Sequence, residues 1–131
     1  MTRPLSIFTV PAELVAPVEP GSDRLILRIG IIELTPGEEM MAIRRSENEL
    51  VRMAAEQSKE SLRFVFVGAK DTPKEKQTPL ALSTGDASLE RVWATMPPAL
   101  RTLVVTAYGV VNQPAKEAIQ GFLASREVVS G

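Results

Sequence analysis

The sequence predicts an α+β fold, with short N-terminal β-strands forming a hairpin or small sheet, followed by a C-terminal helical bundle that includes a helical hairpin. Three observations carry this prediction. Residues 24–34 (RLILRIGIIEL) and 62–67 (LRFVFV) are rich in aliphatic, β-branched and aromatic side chains with strand-like alternation. Residues 93–125 (WATMPPALRTLVVTAYGVVNQPAKEAIQGFLAS) write two amphipathic helices around a short break. Within them Leu100, Leu103, Val104, Ala107, Tyr108 and Val111 recur at i, i+3, i+4, i+7, i+8 and i+11, one apolar stripe.

Residues 1–23 contain Pro4, Pro11, Pro17 and Pro20 and read as a proline-rich extended arm, although Leu5, Ile7 and Phe8 allow a short edge strand. Pro20-Gly21-Ser22-Asp23 is a turn signal. Strand 24–34 places Leu25, Leu27, Ile29 and Ile31 on one face and Ile26, Arg28, Gly30 and Ile32 on the other. Thr35-Pro36-Gly37-Glu38-Glu39 starts a helix, with Thr35 as N-cap, Pro36 at the first helical position and Glu38 completing a capping box. Ser46-Glu47-Asn48-Glu49 spells a second capping box, so two short helices are expected rather than one long one.

Strand 62–67 alternates Leu62, Phe64 and Phe66 with Arg63, Val65 and Val67. Residues 68–79 (GAKDTPKEKQTP) form a polar loop, and Leu80-Ala81-Leu82 a short strand returning along 62–67. Asp86 is expected to cap a helix over 87–96, which carries Leu89, Val92, Trp93 and Met96 on one side. Pro97 and Pro98 end that helix and open the next. Asn112, Gln113 and Pro114 break the hairpin before Ala115, Ala118, Ile119, Phe122 and Leu123 repeat the apolar pattern. Residues 24–126 are thus read as a single α+β domain and 127–131 as a flexible tail.

The chain has 131 residues, neither cysteine nor histidine, and a net charge of −1. Without cysteine there are no disulfides or thiolate nucleophiles, which fits a cytosolic protein. Without histidine the commonest general base and metal ligand is missing. Ser-His-Asp chemistry, Cys-His chemistry and ordinary zinc sites are therefore excluded. The near-zero charge argues against nucleic acid as a partner. The longest apolar-rich stretch is about half of what a transmembrane helix needs, and the first residues lack the pattern of a secretory signal. No cofactor is expected.

The remaining polar clusters read as ordinary structure. Glu38 and Glu39 followed by Arg44 and Arg45 follow the helix macrodipole. Gly68-Ala69-Lys70 lacks the spacing of a phosphate-binding loop. Met40, Met41, Met53 and Met96 suit core gap-filling, with an adaptable binding surface as the alternative. The hairpin stripe can pack wholly into the fold or leave a groove for a partner helix.

The order of these features resembles the small tail assembly chaperones of long-tailed bacteriophages, the kind found in Mu-like and related contractile-tailed phages. The likeness rests on Trp93, then Met96-Pro97-Pro98-Ala99-Leu100-Arg101-Thr102-Leu103-Val104 through Tyr108, and on Pro114 leading to Phe122-Leu123-Ala124-Ser125. It implies a non-enzymatic protein that binds the tape-measure protein, a long helical client, and keeps it soluble while the tail tube polymerises. It also implies residence in the host cytoplasm during assembly and absence from the mature virion, with self-association open. The alternative is a structural tail or neck adaptor retained in the virion, for which a proline-rich arm would lace neighbouring subunits. Under the chaperone reading the partner-binding residues are Trp93, Leu100, Leu103, Val104, Tyr108, Phe122 and Leu123.

Overall fold

A computed structural model describes residues 3–47, 49–83, 87–112 and 121–125. Four strands, β1 (Leu5–Thr9), β2 (Leu25–Ile32), β3 (Leu62–Gly68) and β4 (Thr78–Ala81), form one sheet in the order β1-β2-β3-β4. Every neighbouring pair is antiparallel. Helices α1 (Pro36–Arg45) and α2 (Leu50–Ser61) connect β2 to β3, and α3 (Ser88–Thr95) and α4 (Pro98–Val111) follow the sheet. The protein is α+β, as the sequence predicts.

The N-terminal segment expected as an arm is woven into the sheet. β1 pairs with β2 from Leu5 opposite Ile32 to Thr9 opposite Arg28. The chain then leaves the sheet through a 3₁₀ turn at Ala12–Leu14 and rejoins it. There the Ala16 carbonyl accepts from the Ile26 N–H at 2.8 Å and Val18 N–H donates to Arg24 at 3.0 Å. The predicted turn follows, with Gly21 at a φ of 77°. Val10, Ala16 and Val18 enter the core, so a boundary at residue 24 divides a hairpin. The prolines are tolerated because this is an edge, where a missing N–H breaks no ladder.

Two irregularities in the β2–β3 ladder decide which side chains face inward. Ile26 opposes Val67 but Arg28 opposes Phe66, which makes Leu27 an extra residue on β2. Gly30 opposes Phe64 but Ile31 opposes Leu62, which makes Arg63 an extra residue on β3. The expected alternations are corrected accordingly. Ile26, Ile29 and Ile31 face the core together with Leu62, Val65 and Val67.

Helices α3 and α4 cover that face through Leu89, Val92, Met96, Leu100, Val104 and Ala107. A smaller buried group, Ile32, Leu34 and Tyr108 with Leu5 against it, closes one end.

The helix ends follow local chemistry. Thr35 and Glu38 form the predicted capping box. The second box does not form. The Ser46 N–H already donates to the Ala42 and Ile43 carbonyls, so Ser46 ends α1 instead of starting α2. Glu47 takes a positive φ of 55° and α2 starts at Leu50.

At the α3–α4 junction, Arg101 donates to the Trp93 carbonyl at 2.7 Å and to the Ala94 carbonyl at 3.1 Å, satisfying the C-terminal carbonyls of α3. Asn112 is buried and holds the end of α4. Its amide donates to the Tyr108 carbonyl at 2.9 Å and its Oδ1 accepts from the Leu34 N–H at 3.2 Å. The expected cap Asp86, most of the hairpin's second helix (113–120) and the tail lie outside the described residues, whereas 121–124 are helical.

Candidate partner-binding surfaces

The predicted binding stripe divides between the inside and the outside of the molecule. Leu100 and Val104 are fully buried beneath the sheet and support the fold rather than a partner contact. Tyr108 is also buried, and its hydroxyl donates to the Glu39 carboxylate. Burial first, then the neighbouring carboxylate, raise the phenol's pKa well above its ordinary value. Trp93 and Leu103 are half-buried against the core, with the Arg101 guanidinium 5.5 Å above the Trp93 ring. Phe122 and Leu123 are 75% and 63% exposed and remain available to a partner.

The pattern has a packing cause. Positions 100, 104 and 107 point straight into the sheet, Leu103 lies at the flank, and Val110 is exposed. Between β1 and α4, Phe8, Leu103, Ala107 and Val110 line a shallow apolar groove of about 180 Å³. A hollow of about 570 Å³ lies between β4 and α3.

A further candidate surface is the sheet face opposite α3 and α4. Its residues follow from the register. One cross-strand row is Thr9, Arg28, Phe66 and Pro79, and the next is Ile7, Gly30, Phe64 and Ala81. Among the described residues α3 and α4 pack on the opposite face. Ile7 is 46% exposed, Pro79 and Ala81 are exposed, and both phenylalanines are only partly covered. The Phe64 and Phe66 rings stack at 6.3 Å.

Gly30 is buried in this face, where Leu5 and the Phe64 Cβ already occupy the space of a side chain, each 3.1 Å from where a Cβ would lie. Arg28 lies across Phe66, its guanidinium 4.4 Å from the ring centre. It is steadied by Gln77 Oε1 at 2.6 Å and the Lys74 carbonyl at 3.4 Å. Among the described residues Arg28 has no carboxylate partner. An apolar sheet face carrying aromatic rings and an unpaired arginine has the composition of a binding hot spot.

The sequence reading did not single out this face. The available signal was the apolar character of both alternating sets in β2 and β3. An antiparallel sheet with one wet side ordinarily alternates apolar and polar residues.

At one end of the sheet the charges form a continuous chain. Glu38 pairs with Arg3 and with Arg63, the latter at 2.8 Å. Arg63 approaches Glu60 at 3.5 Å, Glu60 meets Arg45 at 2.9 Å, and Arg45 meets Glu56 at 3.1 Å. Glu56 then meets Lys59, which reaches Glu90 on α3, both at 3.1 Å.

Arg3, against a smaller opposing effect of burial and with help from the Thr35 N–H and hydroxyl, holds the Glu38 carboxyl at a pKa of about 2. For Glu56 burial works the other way, but the bonds from Arg45 and Lys59 outweigh it and its pKa lies below the ordinary value. This chain ties β1, α1, α2, β3 and α3 together. Each carboxylate in it is matched by a cation, the arrangement of a structural network rather than of an acid–base pair.

Among the described residues no group of three or more acidic side chains could hold a metal ion. No described helix is long and apolar enough to cross a membrane. No protein-family model, curated protein or solved structure matches this chain.

Proposed function

We propose that this chain is a non-enzymatic phage tail assembly chaperone. It binds the tape-measure protein in the host cytoplasm, keeps it soluble while the tail tube polymerises, and is left out of the finished virion. The observation that supports a binding role is the apolar sheet face opposite α3 and α4, with Ile7 exposed and the Phe64–Phe66 pair partly exposed beside an Arg28 that has no carboxylate partner among the described residues. A surface of that kind costs solubility unless it is used. The tail-specific part of the reading comes from the resemblance of residues 93–125 to the small tail assembly chaperones.

Co-expression with the tape-measure protein tests the proposal. The expected result is a soluble, co-purifying complex, with the client aggregating when this chain is omitted. A client equally soluble alone overturns it. Stoichiometric presence of the chain in purified particles, measured by mass spectrometry, would instead identify a structural tail or neck adaptor.

A further inference from the structure

We infer that the open sheet face receives one amphipathic helix bearing acidic residues beside its apolar stripe, and that Arg28 selects for that acid. The inference rests on the chaperone reading and gives it a site and a client chemistry.

Size and shape favour a single helix. Four strands spaced about 4.8 Å apart make a face roughly 14 Å across. The two cross-strand rows and the half-buried Leu5 beyond them extend it by a similar distance along the strands. A helix about 10 Å in diameter covers that area in about three turns.

Charge then decides between a foreign helix and a second copy of this chain. Arg28 is the single charged side chain in the two rows. Its Nε and Nη2 are engaged by Gln77 and Lys74, and among the described residues its Nη1 has no partner. Two copies placed face to face would bring Arg28 onto a surface that offers no carboxylate, and like charge without compensation is unfavourable. A helix with Glu or Asp flanking its stripe supplies the missing acceptor to a guanidinium already held over the Phe66 ring.

Two synthetic 18-residue helical peptides provide the probe. They share one Leu/Ile stripe and differ only in flanking Glu or flanking Lys. Their binding to the full chain is followed by fluorescence anisotropy. The acid-flanked peptide is expected to bind at least tenfold more tightly, and Arg28→Glu to reverse the preference. Ile7→Glu, at an exposed edge position where folding is little affected, is expected to weaken the acid-flanked peptide at least tenfold. Val110→Glu, on the exposed side of α4, is expected to change it less than twofold. Circular dichroism melts confirm that each variant is folded.

Equal binding of the two peptides, or full binding by Arg28→Glu, overturns the inference. So does a concentration-dependent dimer of the unmodified chain that Ile7→Glu abolishes, since a second copy would then occupy the face. The two readings fail separately. If the tape-measure protein co-purifies equally with the unmodified chain, Arg28→Glu and Ile7→Glu, the site is wrong and the chaperone reading stands. If the acid-flanked peptide binds as described but the tape-measure protein neither co-purifies nor gains solubility, the chaperone reading fails and the face remains a helix site.

Discussion

Replacing Glu38 by glutamine should weaken the fold in a way that depends on pH. Glu38 accepts from the Thr35 N–H at 2.9 Å and from Arg63 at 2.8 Å, and it pairs with Arg3, so one carboxylate joins the entry to β1, the start of α1 and the β3 bulge. Glutamine keeps the shape and an acceptor for Thr35 but removes the charge. In the folded chain the carboxyl titrates at about 2 against an ordinary 4.5. At about 1.4 kcal/mol per pKa unit, that difference sets a ceiling of roughly 3.4 kcal/mol. The Arg3 side chain is 39% exposed and solvent screens the pair, so about 1–2 kcal/mol is the realistic share.

The folded pKa lies below the unfolded one, so the contribution is complete above the unfolded value. It is lost as pH falls from 4.5 toward 2, and about two-fifths of it remains at pH 3. Urea unfolding of the parent and of Glu38→Gln at pH 7 and pH 3 measures this directly. The stability gap should be about 1–2 kcal/mol at neutral pH and less than half of that at pH 3. Comparing the two proteins cancels the titration of the other carboxylates. A gap of equal size at both pH values, or none at pH 7, would show that the charge contributes nothing.

Other substitutions separate the core from the surface. Leu100→Ala should cost about 2–5 kcal/mol in chemical denaturation because the side chain is fully buried, whereas Phe122→Ala should stay within about 0.5 kcal/mol. Gly30→Ala should cost about 1–2 kcal/mol, since the new methyl meets Leu5 and the Phe64 Cβ at 3.1 Å. Tyr108 is the single tyrosine, so absorbance at alkaline pH reports on it alone. Its ionisation in the folded chain should lie well above that of the urea-unfolded chain, and its contribution to stability should disappear as pH rises beyond about 10.

Much of the fold was legible because each element carries its own local signal. The Thr35–Glu38 box, the kink near Ser46, a return strand (expected at 80–82, found at 78–81) and the Pro97-Pro98 junction all depend on neighbours in sequence. Features set by distant contacts were not legible. The bulges at Leu27 and Arg63 shift the side-chain alternation by one, and no local pattern marks the extra residue. Ser46 and Glu49 spell a capping box, but the last turn of α1 had already engaged the Ser46 backbone. Val10, Ala16 and Val18 looked like parts of an arm because their partners, Leu27 and the start of β2, come later in the chain. For the binding stripe, helical periodicity identified a face to be buried but not what buries it. The sheet covers Leu100 and Val104.

The bulges also explain how one pair of strands can fold the protein and present a surface without conflict. In β3 the compact Leu62, Val65 and Val67 turn inward, and the larger Phe64 and Phe66 turn outward. Size alone would assign the rings to the core, since aromatic side chains have the most apolar area to bury. The core is instead closed by the aliphatic side chains of α3 and α4 and by the returning N-terminal segment, so the rings are not required there. Their stacking on each other and under Arg28 covers part of their surface outside the core. Under the proposed function, inward substitutions such as Val65→Ala should lower stability and leave peptide affinity per folded molecule intact. An outward substitution at the exposed edge, Ile7→Ser, should do the reverse, because that side chain belongs to the second face alone.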